Sequence, residues 1–111
     1  MDKEMNRTLS PLPFPIPQDG KNLTQVRGSN LVTFQTGMEM TRVADFYRQE
    51  LVEWGFQERV DLNAERLDFL RLVFENLRDG SMVVVQIMNL KYTMSIDVRY
   101  VNIYQEHQRI C

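Results

Sequence analysis

Residues 79–88 read Asp79-Gly80-Ser81-Met82-Val83-Val84-Val85-Gln86-Ile87-Met88, and this stretch decides the fold. Asp79-Gly80 is a short-range hairpin signal, because tight hairpin turns favour residues that accept left-handed backbone. It joins Phe69-Leu70-Arg71-Leu72-Val73-Phe74-Glu75 to the run from Met82 to Met88. Side chains alternate across a strand, so Val83, Val85 and Ile87 fall on one side, and Met82, Val84 and Met88 on the other. In the preceding run Leu70, Leu72 and Phe74 share one face, with Phe69 and Val73 opposite. A strand apolar on both faces belongs inside a sheet that is covered on both sides.

Towards the C-terminus, Asn89-Leu90-Lys91 reads as a turn. Behind it Met94, Ile96, Val98 and Tyr100 alternate with Thr93, Ser95, Asp97 and Arg99, the pattern of a half-buried strand. Towards the N-terminus, Phe56-Gln57-Glu58-Arg59-Val60 is a further strand, followed by a polar loop from Asp61 to Asp68. The period then changes. Met40, Val43, Ala44, Tyr47, Leu51 and Trp54 form one continuous stripe at 3.6-residue spacing, which predicts an amphipathic helix. Thr36-Gly37-Met38-Glu39 matches the Ser/Thr-x-x-Glu capping box at its start, and Gly55 suits its end. Before the helix, Leu31-Val32-Thr33-Phe34-Gln35 is a short strand entered from the turn-prone Arg27-Gly28-Ser29-Asn30.

These segments predict an α+β two-layer sandwich. One amphipathic helix packs on an antiparallel sheet in the order β-α-β-β-β, with a further strand optional. Pro11, Pro13, Pro15 and Pro17 stand at every second position of 11–20. Proline fixes its own φ and extends its predecessor, so this segment is an extended proline-rich arm. Its spacing does not fit a PxxP ligand, and the arm reads as structural. The expected organisation is a flexible start at 1–10, the arm at 11–20, one globular domain at 21–104 and a flexible tail at 105–111.

The chain has 111 residues, a length suited to one domain. Its 13 Lys and Arg against 15 Asp and Glu leave a formal net charge of −2, which argues against a nucleic-acid module. No run of about 18 apolar residues exists, so no transmembrane segment is expected. No secretory signal is visible, which predicts a cytoplasmic protein. Cys111 is the single cysteine and His107 the single histidine, both in the tail. They supply neither a metal set nor a supported nucleophile–base pair. Asp45, Glu50 and Glu53 fall on the water-facing side of the helix and read as a solvated face rather than paired carboxylates for acid–base work. Five scattered glycines form no phosphate-cradling motif. Phe69, Tyr92, Tyr100 and Tyr104 lack the adjacent basic groove that a base-stacking platform needs. No catalytic residue, cofactor or metal is expected, and the chain reads as no enzyme.

The stretch Val43-Ala44-Asp45-Phe46-Tyr47-Arg48-Gln49-Glu50-Leu51, then Trp54-Gly55-Phe56, resembles a small uncharacterised bacterial family with an "FYR…L…G" helix followed by a strand meander. Cyanobacterial members are similar in Phe46-Tyr47-Arg48, Leu51, Gly55 and Glu58-Arg59, in Val84-Val85-Gln86, and loosely in Ile96-Asp97-Val98-Arg99. The resemblance spans roughly residues 11–101 and implies the fold. It implies no catalytic residue, and some relatives are exported or lipoprotein-like.

The sheet presents more apolar surface than one helix covers. Phe69, Val73, Met82, Val84 and Met88 are therefore the candidate interface. Three covers fit: the proline-rich arm folded back, a second copy of the chain, or a small hydrophobic ligand held by adaptable methionines. The resulting expectation is a non-enzymatic interaction module with a homodimer or another protein as partner. The alternative is a domain that binds a hydrophobic ligand or lipid on that face.

Overall fold

Seven strands, several of them read from period-two alternation, and one helix from the 3.6-residue stripe make up the computed structural model, which describes residues 14–26 and 30–101. In chain order these are β1 (Lys21–Gln25), β2 (Leu31–Thr36), α1 (Met40–Glu53), β3 (Phe56–Glu58), β4 (Ala64–Arg66), β5 (Phe69–Asn76), β6 (Met82–Asn89) and β7 (Met94–Val101). All strand pairs are antiparallel, in the spatial order β1-β2-β7-β6-β5-β3. β4 pairs with β5 beyond β3, so both short strands share one edge of β5. The architecture is α+β, one helix packed on an antiparallel sheet.

The observed order is β-β-α-β-β-β-β-β; the optional last strand is present, and the expected β-α-β-β-β(-β) series is corrected at two points. Lys21–Gln25 forms a strand that the polar sequence hid: all five residues are exposed. Asn22 sits there at φ 56°, and the register against β2 shifts between Lys21 and Thr24. Residues 61–68 are not a loop throughout. They hold the end of a 3-10 turn (Val60–Leu62) and β4. Periodicity cannot reveal a three-residue strand paired through backbone alone.

The helix presents Val43, Ala44, Tyr47 and Leu51 to the sheet, all buried. Trp54 ends the stripe at the C-cap and is 37% exposed, so the apolar coat stops at Leu51. Gly55 follows at φ 92°, the left-handed backbone that closes a helix. At the other end the capping box does not form. Glu39 is the N-cap and makes no side-chain cap. The Thr36 hydroxyl instead accepts the Met38 N–H (3.1 Å) and donates to Asp19 Oδ2 (2.7 Å). Thr36 is the last residue of β2, so its hydroxyl is spent on the strand-to-helix connection.

Burial alternates along β2 and β6 and fixes which parity meets the helix. Val83, Val85 and Ile87 of β6 join Val32 and Phe34 of β2, Leu72 and Phe74 of β5, and Ile96 and Val98 of β7 in the core. Phe14 belongs to this same cluster, and Ile16 packs on it. Residues 14–17 thus lie on the helix side of the sheet. Pro11, Leu12 and Pro13, the ends expected to be flexible (1–10 and 105–111) and Arg27-Gly28-Ser29 fall outside the described residues. The β5–β6 connection is a hairpin, but longer than Asp79-Gly80 alone. Asn76 and Ser81 close it through Asn76 N–H to Ser81 O (2.8 Å), with Gly80 at φ 75°.

Candidate functional site

The parity that does not meet the helix forms the second face of the sheet. Strand pairing sorts that face into rows running across it. One row runs Val73, Val84, Arg99, Leu31 from β5 to β2. The next runs Arg71, Gln86, Asp97, Thr33. Met82 lies beside Val101 at one end, and Met88 beside Phe69 and Ser95 at the other. β6 runs down the middle of this surface, one strand from β5 and one from β7.

The face is shaped into an open depression of about 520 Å³, with Val73, Val84, Met82 and Leu31 as apolar lining and Arg71, Asp97 and Arg99 as its charges. Among the described residues only the Arg59–Asn63 segment leans over it, at the β5 margin, where Leu62 joins the lining. That segment replaces a strand. Arg59 N–H donates to Val73 O (2.7 Å), while Asn63 Oδ1 accepts the Val73 N–H (2.8 Å). Both backbone groups of Val73 are therefore satisfied at a point where neither β3 nor β4 pairs with it.

The five sequence-derived interface positions all fall on this face. Val73 is buried, 4% exposed, while Phe69, Met82 and Val84 are half-buried and Met88 is 47% exposed. Val73 is therefore a floor residue and not an accessible contact. Sequence reasoning missed Leu31, Leu62, Arg71 and Val101, which line the same depression. Arg71 was detectable, since it shares parity with Phe69 and Val73; Leu62 was not, because only the 3-10 turn brings it there. Among the described aromatics, Tyr100 packs towards the core, whereas Tyr92 is 87% exposed in the β6–β7 turn. With Phe69 on the open face, the three do not share a stacking platform.

Electrostatics separate this face from the rest of the surface. On the helix side Arg48 pairs with Glu58 through two hydrogen bonds (3.0 and 3.2 Å), and Asn63 Nδ2 donates to the same carboxylate (2.7 Å). Burial alone would raise the Glu58 carboxyl, but the Arg48 and Asn63 hydrogen bonds hold it below its ordinary value. The hydrogen bond to Glu58 likewise raises Arg48. At the sheet edge Arg59 bridges Asp61 (2.8 Å) and Glu75 (2.9 Å), and its hydrogen bonds lower Asp61. Among the described residues the guanidinium of Arg71 on the open face reaches only Leu62 O (3.3 Å), and its buried Nε has no partner. Asp97 forms no ion pair among the described residues.

Among the described residues no three His, Cys, Asp or Glu side chains gather as metal ligands. No helix among them is long and apolar enough to cross a membrane. His107, Cys111 and Tyr104 lie outside the described residues. Comparison of the chain with protein-family models, curated proteins and solved structures finds no match in any of the three.

Proposed function

We propose that this chain is a non-enzymatic interaction module that docks a protein partner on the second face of its sheet, using Met82, Val84 and Met88 of β6 as the apolar centre. One observation carries the reading: the central strand of the sheet offers apolar side chains to a face on which no helix packs among the described residues. Exposed contiguous apolar area beside polar and charged residues is the usual mark of an interface. The proline-rich arm is the weaker candidate for its cover, since Phe14 and Ile16 pack on the helix side. The fold implied by the bacterial "FYR…L…G" resemblance is consistent with such a module.

The test is Val84→Glu in the full chain, followed by sedimentation velocity from about 1 to 100 µM, a range reaching past the weak, micromolar end of standard-sized interfaces. The wild-type chain is expected to self-associate with rising concentration, and Val84→Glu to stay monomeric with unchanged far-UV circular dichroism. A second reading, a pocket for a hydrophobic ligand, is favoured by the depression of about 520 Å³, within the range of small-molecule sites. A wild-type monomer at every concentration that binds an apolar dye, with the dye lost in Val84→Glu, replaces the docking reading with that one.

A further inference from the structure

We propose that the partner is a second copy of this chain, packed face to face about a two-fold axis that runs along β6. This rests on the docking-face reading above and adds the occupant and its orientation. The observation behind it is the charge pattern of one row. Arg71 on β5 and Asp97 on β7 stand on either side of Gln86 on β6. Two strand spacings, about 9.6 Å, separate their backbones, and no ion pair joins them among the described residues.

A two-fold rotation about β6 carries β5 of one copy over β7 of the other. Arg71 then faces the partner's Asp97, and the partner's Arg71 faces Asp97, two oppositely charged pairs from one operation. Met82, Val84, Gln86 and Met88 lie on the axis and meet their own equivalents, giving a centre that is apolar apart from Gln86, with charge at its flanks. Arg99 comes opposite the partner's Val73, one row from the partner's Glu75. Face-packed sheets sit about 10 Å apart, a gap that an arginine and an aspartate reaching towards each other can close. An axis across the strands through the same row fails. It sets Arg71 against the partner's Arg71 and Asp97 against the partner's Asp97, like charges that oppose association. The charge pattern therefore selects both the copy and the axis.

The experiment uses full-length Arg71→Asp, Asp97→Arg and the double variant, with dimer dissociation constants from sedimentation velocity. Each single variant creates two like-charge contacts and is expected to weaken the dimer about tenfold or more. The double variant restores the pairs and is expected to recover wild-type affinity, which also shows that neither change unfolds the sheet. The decisive sample is the equimolar mixture of the two single variants. In a mixed dimer every facing pair is oppositely charged, so the mixture is expected to dimerise as tightly as wild type. Single variants that dimerise as tightly as wild type overturn the axis, while leaving the docking face intact if Val84→Glu still dissociates the dimer. A wild-type chain that stays monomeric up to about 100 µM, beyond the micromolar end of standard-sized interfaces, overturns the second copy as occupant.

Discussion

Tyr47 offers the sharpest test of the energetics. Its ring lies in the helix stripe with no exposure and packs edge-on against Phe46, centroids 5.0 Å apart at 89°. Its hydroxyl is buried with no hydrogen-bond partner among the described residues. Tyr47→Phe keeps the ring and deletes only the unsatisfied group. Burying a hydroxyl without a partner costs about 1–3 kcal/mol. The void left behind is no larger than about one 15 Å³ probe sphere, which at about 24 cal/mol per Å³ costs about 0.4 kcal/mol. The net expectation is a gain of about 0.6–2.6 kcal/mol, or a rise in Tm of about 2 °C or more for a domain of this size. Equilibrium urea unfolding, read from the single Trp54 fluorophore, measures it as a higher midpoint at constant slope. The pH dependence gives a second readout. Burial raises the phenol well above its ordinary 10.0. The unfolded chain therefore ionises first, and the wild type loses stability as pH rises past that value. Tyr47→Phe is expected to remove this part of the alkaline loss. A variant destabilised by about 1 kcal/mol or more would refute the reasoning, because it would mean that the hydroxyl is bonded in solution.

Two further outcomes follow from the hydrogen bonds around β5. Asn63→Ala removes the side-chain oxygen that accepts the buried Val73 N–H, and is expected to cost about 1–3 kcal/mol in urea unfolding, with faster hydrogen exchange at the Val73 amide. Glu58 has a depressed carboxyl pKa in the folded chain, so its contribution is present in full above the ordinary value of 4.5 and is lost as pH falls below it. Glu58→Gln is expected to flatten that limb of the acid-denaturation curve, with a loss near neutrality of about 0.5–1 kcal/mol because the Arg48 pair is partly exposed.

Much of the sheet was legible before any coordinates. The alternation in β6 and β7 and the stripe from Val43 to Leu51 each state a period, and a period is a local property of the chain. β1 and β4 were not legible. Lys21–Gln25 is polar on both sides, and Ala64–Arg66 is too short to show alternation. Both are strands because a neighbour offers them free backbone groups. The capping box failed for a related reason: β2 runs through Thr36 and the N-cap falls at Glu39, so the Thr36 hydroxyl sits too early to cap the helix and accepts the Met38 N–H while donating to Asp19, seventeen residues before it. Trp54 matched the stripe by spacing, yet the helix reaches its C-cap there and the ring lies at the margin of the core.

The candidate face divides in the same way. Sequence alone determined that β6 is apolar on both sides and that Phe69, Val73, Met82, Val84 and Met88 belong together, because strand parity is fixed by backbone geometry. Only the tertiary structure decided which parity the helix covers, since both are apolar and either would bury. It also set Arg71 and Asp97 in one row on opposite flanks of β6, because register between strands distant in sequence is set by pairing across the sheet and not by any property of the residues themselves.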